Sequence, residues 1–192
     1  MSKHVVIVGG GVIGLSTAWY CCQRGHQVTL IDRNGGQRNG CSFGNAGMIV
    51  PSHFVPLAAP GMIRSGLKWM WNPESPFYIR PRASWDLLAW LWRFKRACSE
   101  SQVQRAAPLL RDLHLASRDH FQTLASDLPG GFDLTRNGLL MLCRSQHDFD
   151  KEIATAKLAN DLGVEAEVLD SAATAARDPN IEMRVKGSVY YP

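Results

Sequence analysis

His4-Val5-Val6-Ile7-Val8-Gly9-Gly10-Gly11-Val12-Ile13-Gly14 is the stretch on which the fold turns. Residues 4 to 8 form a short β-branched run that stops at glycine, the profile of a buried parallel strand. From Gly14 to Arg24 the apolar residues Leu15, Ala18, Trp19 and Cys22 recur at helical spacing, and Gly25 follows as a C-terminal cap. Gln27 to Ile31 is strand-like again and ends in Asp32, so residues 4 to 32 read as strand, glycine-rich turn, helix, strand. The fold class this implies is α/β.

Gly9, Gly11 and Gly14 stand in a G-x-G-x-x-G pattern that follows a strand and opens a helix, with the acid Asp32 at the end of the next strand. Each position has a physical reason. Gly9 permits the tight turn, Gly11 lets main chain approach a pyrophosphate, and Gly14 lets the helix press against the sheet. The helix N-terminus, with Val12 and Ile13, supplies N–H donors and partial positive charge. Asp32 is placed to accept from a ribose diol and to repel a 2′-phosphate, which argues against NADP. A bound dinucleotide follows; the βαβ unit alone leaves NAD and FAD both open.

Composition sets the outer bounds. With 192 residues, 45% of them hydrophobic and 20% charged, the chain has ordinary globular composition. It is too short for a typical two-domain enzyme of ~300 residues or more. A net charge of +4 gives no support for nucleic-acid binding. Five cysteines without a C-x-x-C pair fit a reducing, cytoplasmic setting. No targeting segment stands out, and no apolar run reaches the ~18 residues of a bilayer-crossing helix. The six histidines are scattered, so no metal site is expected; His53 reads as a loop residue, a cavity-facing position being the less favoured alternative.

Beyond Asp32 lies a loop rich in glycine, including Gly40-Cys41-Ser42-Phe43-Gly44-Asn45-Ala46-Gly47, and then a stretch punctuated by Pro51, Pro56 and Pro60. Residues 63 to 96 hold five of the six tryptophans. Ser84 caps a helix reaching about Ala97. Within it Trp85 to Arg96, preceded by Arg80 and Arg82, has the composition of an interfacial amphipathic helix; packing of its tryptophans between domains is the equal alternative. Pro108 suits the first turn of a helix to about Leu128. A strand follows at Gly138 to Arg144, a helix at Gln146 to Leu162, a strand at Val164 to Leu169, a short helix capped by Asp170, and a strand from Arg184 to Tyr191. Strand alternation sends only one of Tyr190 and Tyr191 to a given face.

The opening residues through Gly14, the Asp32-Arg33 pair, Cys41 to Met48, and Pro56-Leu57-Ala58-Ala59-Pro60-Gly61 closely resemble the FAD-dependent D-amino-acid dehydrogenases of the D-amino-acid oxidase and glycine oxidase superfamily. The resemblance continues to the Gly187 to Pro192 ending and so covers essentially the whole chain, as the N-terminal half of such an enzyme. It implies a Rossmann-type FAD-binding domain over residues 1–80 and part of a mixed-sheet α+β substrate domain over 81–192. It implies FAD as cofactor. Gly9, Gly11, Val12, Ile13 and Gly14 would hold the pyrophosphate, Asp32 the adenosine ribose, and Arg33 the adenine side. Ser42, Asn45, Ala46, Gly47 and Met48 would lie along the flavin-proximal part.

The implied reaction oxidises the α-carbon of a D-amino acid to a 2-oxo acid and ammonia, with electrons passed to a respiratory acceptor such as a quinone. The expected place is cytoplasmic, with peripheral attachment to the inner membrane if Trp85 to Arg96 is the interfacial helix of the two readings above. No catalytic residue is assigned, because these belong mostly to the C-terminal half of the family. The chain stops at Pro192, so a truncated form, or a subunit whose partner supplies that half, is expected; its sheet would then show an uncovered strand edge and apolar surface. The rival readings are a glycine or sarcosine oxidase, a non-catalytic piece, and, least favoured, an NAD-dependent dehydrogenase.

Overall fold

In the computed structural model, which describes residues 1–35, 40–71, 75, 79, 82, 84–128 and 130–192, the chain forms two compact units, Met1–Met48 and Ile49–Pro192. Arg80 and the expected domain boundary at residue 80 lie outside the described residues.

The first unit is the βαβ element. Strand β1 (His4–Val8) and strand β2 (Gln27–Ile31) are joined by helix α1 (Val12–Gln23). The strands pair in parallel, with His4 opposite Gln27 and Val8 opposite Ile31. Parallel neighbours require a crossover, and α1 is that crossover. The chain leaves β1 through Gly9 at φ +106 and leaves α1 through Gly25 at φ +76, both left-handed conformations that favour glycine. Among the described residues the sheet has two strands. Val6, Ile31 and above all Val8, 83% exposed, stand on the surface of this unit.

The second unit begins with helices α2 (Met62–Met70), α3 (Trp85–Ala97) and α4 (Glu100–Asp127). It continues with strand β3 (Leu139–Cys143), helix α5 (Gln146–Asp161), strand β4 (Glu167–Asp170), helix α6 (Ser171–Arg177) and strand β5 (Gly187–Tyr191). The sheet order is β3-β5-β4, antiparallel throughout. Side-chain caps set the helix starts: Ser84 accepts from the Leu87 N–H, Ser99 from Gln102, Ser145 from Asp148 and Asp170 from Ala173.

Central strand β5 separates two helices by alternation. Val189 and Tyr191 join Ala156 and Ala159 of α5 in the core with Phe54, Ala107 and Val164. On the opposite face the Ser188 hydroxyl lies 2.8 Å from that of Thr174 in α6, and both residues are fully buried. Gly187 leaves room for the Phe149 ring of α5, which a Cβ there would approach to 2.4 Å.

Three boundaries differ from the sequence expectation by three residues or more. Helix α4 starts eight residues before Pro108, because Ser99 caps it at Glu100; Pro108 is carried inside the helix, where it lacks the N–H for one intrahelical bond. Strand β4 starts at Glu167 instead of Val164. The Val164 N–H closes the end of α5 on the Ala159 carbonyl, and the Asn160 side chain takes up both the N–H and the carbonyl of Ala166. Strand β5 starts at Gly187, opposite the end of β3 at Cys143; just before it the Lys186 N–H donates to the Cys143 carbonyl at 2.8 Å. Helix α2 was not foreseen in the sequence.

Candidate functional site

The first candidate site lies at the C-terminal ends of β1 and β2. Gly14 shows how tightly the turn is built: a Cβ on it would stand 1.9 Å from the Gly9 carbonyl oxygen. Asp32, one residue past β2, accepts from the Gly10 N–H at 2.5 Å and from the Asn34 N–H at 2.7 Å. These two backbone bonds, with a smaller contribution from the Arg33 charge, outweigh desolvation and hold the Asp32 carboxyl below its ordinary range. The carboxylate is therefore ionised at neutral pH, and accepting two bonds leaves it lone pairs for further donors.

Helix α1 opens at Gly11, which has extended backbone and no side chain to cap the first turn. The first four N–H groups of any helix lack intrahelical acceptors. Here Ser42 supplies one: its hydroxyl accepts from the Val12 N–H at 3.0 Å. Gly11 makes this contact close, since a Cβ there would stand 3.1 Å from the Ser42 hydroxyl oxygen, which would have to shift slightly. Ser42 thus ties the second glycine-rich segment to the first. A helix N-terminus offering N–H groups beside an ionised carboxylate matches the two halves of a dinucleotide, the anionic pyrophosphate and the ribose diol. The residues present fit FAD.

A family model described as FAD dependent oxidoreductase (DAO) matches residues 4–192. The chain belongs to this family. FAD is the family's cofactor. A D-amino acid dehydrogenase from Granulibacter bethesdensis is 34% identical over 179 residues, 93% of this chain and 43% of that protein. Among solved structures, glycine oxidase from Geobacillus kaustophilus matches the whole chain and 40% of its own at a TM-score of 0.64 and 18% identity. Glycine oxidase from Bacillus cereus matches the whole chain and 39% of its own, at 0.55 and 14%. At such identities the two structures speak for the fold, the mixed α/β architecture of these oxidases. The chain spans less than half the length of these relatives.

Of the residues singled out from sequence, the structure of this DAO-family chain brings Gly9, Gly11, Val12, Ile13, Gly14, Asp32 and Ser42 together. Asn45 and Gly47 brace the loop that carries Ser42: the Asn45 amide donates to the Ser42 carbonyl at 3.0 Å, and the Gly47 N–H donates to the Asn45 side-chain oxygen at 2.6 Å. Arg33, Ala46 and Met48 are exposed. The capping contact of Ser42 was not read from the sequence. Its signal was present in the lack of any capping side chain at Gly11, which leaves an N–H to be satisfied from elsewhere.

A second concavity, about 210 Å³, lies within the second unit and is lined by Ser52, His53, Val55, Met141, Glu152, Thr155 and Tyr191. Sequence reasoning missed Glu152. The Tyr191 hydroxyl donates to a Glu152 carboxylate oxygen at 3.1 Å, whereas Tyr190 turns to the other face, under the Arg177 guanidinium at 4.1 Å. Burial, followed by the Glu152 charge and hydrogen bond, raises the Tyr191 pKa well above its ordinary value of 10.0. A raised folded-state value means that folding holds the proton. Stability is then intact below pH 10 and declines as pH rises from the unfolded value through the folded one. Spectrophotometric alkaline titration is expected to show one tyrosine that ionises only on unfolding, and Tyr191→Phe should remove that late step; if every tyrosine titrates normally in the folded chain, the Tyr191–Glu152 contact is wrong.

Proposed function

We propose that this chain is the dinucleotide-holding part of an FAD-dependent D-amino-acid dehydrogenase. The substrate reading is carried by the 34% identity to a D-amino acid dehydrogenase across 93% of the chain. Bound FAD would supply the oxidising chemistry at the substrate α-carbon, the products being a 2-oxo acid and ammonia. The chain's own part is binding and orientation. The glycine-rich turn of Gly9, Gly11, Val12, Ile13 and Gly14 takes the pyrophosphate, Asp32 the adenosine ribose and Arg33 the adenine side. The segment from Ser42 through Asn45, Ala46, Gly47 and Met48 lines the flavin-proximal part. Ser42 has a double use in this reading, because it also fixes the segment against the helix that holds the phosphates.

The domain division at 1–80 and 81–192 belongs to the same proposal, as do electron transfer to a respiratory acceptor such as a quinone and a cytoplasmic position, peripheral on the inner membrane. No helix among the described residues is long and apolar enough to cross a membrane. Because the chain covers 43% of its dehydrogenase relative, the remaining substrate-binding residues are assigned to a C-terminal half or partner subunit.

The test is a visible spectrum of the purified chain with its intact mass, followed by anaerobic addition of D-amino acids, their L-enantiomers, glycine and sarcosine. Flavin bands bleached by D- but not L-amino acids are expected whenever the substrate-binding half is present. Bleaching by glycine or sarcosine alone would replace this reading with a glycine-oxidase type. A colourless chain of full mass would show that it cannot retain FAD by itself.

A further inference from the structure

The side chains around the cavity of about 210 Å³ in the second unit offer acceptors in excess of donors. The Tyr191 O–H is already spent on Glu152 at 3.1 Å, and the Thr155 O–H on the Lys151 carbonyl at 3.1 Å. Ser52 and His53 serve each other, with Ser52 Oγ 3.2 Å from His53 Nδ1. The half-buried Glu152 carboxylate keeps lone pairs beyond the one that Tyr191 uses. Among the described residues no Lys, Arg or His forms an ion pair with it. A carboxylate drawn out of water in this way calls for donors, and the lining side chains have almost none left to give.

Depth and charge point the same way. Tyr191 and Ser52, 5% and 8% exposed, make the inner end of the cavity, while His53 and Val55 are exposed and stand at its mouth. Val55 and Met141 bring only carbon and sulfur to the wall. After burial, the charges acting on Cys143 are those of Glu152 and Asp148, and those acting on Tyr191 are Glu152 and Cys143. All are anionic. A metal ion is a poor occupant, since no three His, Cys, Asp or Glu side chains among the described residues are grouped to hold one. The volume is below the roughly 300–1,000 Å³ of sites for drug-sized ligands, so the occupant is small.

We propose that this cavity binds a small organic molecule through its primary ammonium group. Such a group carries three N–H donors and no acceptor. That is the complement of a lining made of the Glu152 carboxylate, Thr155 Oγ1 and Tyr191 Oη, while Val55 and Met141 receive the apolar body. Bonds from a charged donor to a carboxylate are also the strong ones. A carboxylate or phosphate ligand would be repelled by Glu152, and a neutral alcohol would bring a single donor and no charge. The inference goes beyond the flavin reading: every residue it uses belongs to the second unit, and none is among those proposed to hold FAD.

The test is titration of the purified chain with n-butylammonium, following the methyl signals of Met141 and Thr155 by NMR. Saturable shifts are expected, with a Kd in the millimolar range for so small a ligand. n-Butanol lacks the charge and tetramethylammonium lacks the N–H donors, so each should bind at least about tenfold more weakly. Glu152→Gln keeps an acceptor for the Tyr191 hydroxyl, and its far-UV circular dichroism should match the unsubstituted chain. Its affinity for n-butylammonium should nevertheless fall at least about tenfold. Three results would overturn the proposal: no saturable shift with n-butylammonium, n-butanol or tetramethylammonium binding as tightly, or unchanged affinity in Glu152→Gln. The first two are read on the unsubstituted chain and need no variant to fold. Neither FAD nor a D-amino acid enters the experiment, so loss of the D-amino-acid reading would leave every one of these results unmoved.

Discussion

Gly14→Ala is expected to unfold the first unit while leaving the second standing. The added methyl would meet the Gly9 carbonyl oxygen at 1.9 Å, far inside van der Waals contact, and Ile7 at 3.4 Å. An overpacked core usually costs about 1–3 kcal/mol because flexible side chains can shift. Here the atom in the way is main chain. Gly9 is fixed by its own bond to the Ile31 carbonyl at 2.7 Å and by its left-handed conformation, so relief requires moving α1 off β1. The cost should exceed that range. Hydrogen exchange is the appropriate measurement: amides of Val5–Val8 and Val28–Ile31 should lose protection while those of Gly187–Tyr191 keep theirs. Gly35→Ala, where a Cβ meets nothing within 4 Å, is the control. Gly25→Ala, also uncrowded but at φ +76, should cost only the roughly 1–2 kcal/mol of left-handed strain. Equal protection in Gly14→Ala and Gly35→Ala would show that helix and strand do not pack as described.

The contrast between these glycines explains how much of the fold could be read in advance. Residues 4–32 were legible because every level agrees: β-branched strands, a helical apolar repeat, glycines at the two turns and an acid at the end of β2. Ser84 and Asp170 were legible as caps for a similar reason, since each is a short polar residue placed just before helical periodicity. Pro108 misled because its preference for a first turn is real but weaker than a capped start at Ser99 backed by burial of Ala107. The start of β4 was hidden in a side chain, as Asn160 replaces the ladder partner that Ala166 would otherwise seek. Ser42 was hidden by distance. Thirty residues separate it from Val12, and no periodicity links a loop hydroxyl to a helix end formed so far upstream. The same holds for Glu152 and Tyr191, which meet only because α5 packs on β5.

Asp32→Ala should weaken FAD binding by about tenfold to a hundredfold, the size expected for losing hydrogen bonds to a charged acceptor. Two effects combine, and they can be separated. The carboxylate is proposed to hold the adenosine ribose, and it also gathers the Gly10 and Asn34 N–H groups around the turn. Asp32→Asn keeps a side-chain oxygen for one of those N–H groups but removes the charge. If the ribose contact dominates, ADP should lose affinity for both variants, whereas riboflavin 5′-phosphate, which lacks the adenosine ribose, should bind as before. If scaffolding of the turn dominates, Asp32→Asn should bind ADP nearly normally, and exchange at the Gly10 amide should rise mainly in Asp32→Ala. The pH dependence has a defined sign. Because the folded-state pKa is below the ordinary 3.8, the stabilising contribution of Asp32 is fully present above that value and fades only as pH falls through the lower folded-state value. Cofactor retention that depends on this carboxylate should thus be flat from neutral pH down to the ordinary carboxylate range. Unchanged ADP affinity in Asp32→Ala would remove Asp32 from the ribose site, and the dinucleotide reading would then rest on the glycines and the α1 N-terminus alone.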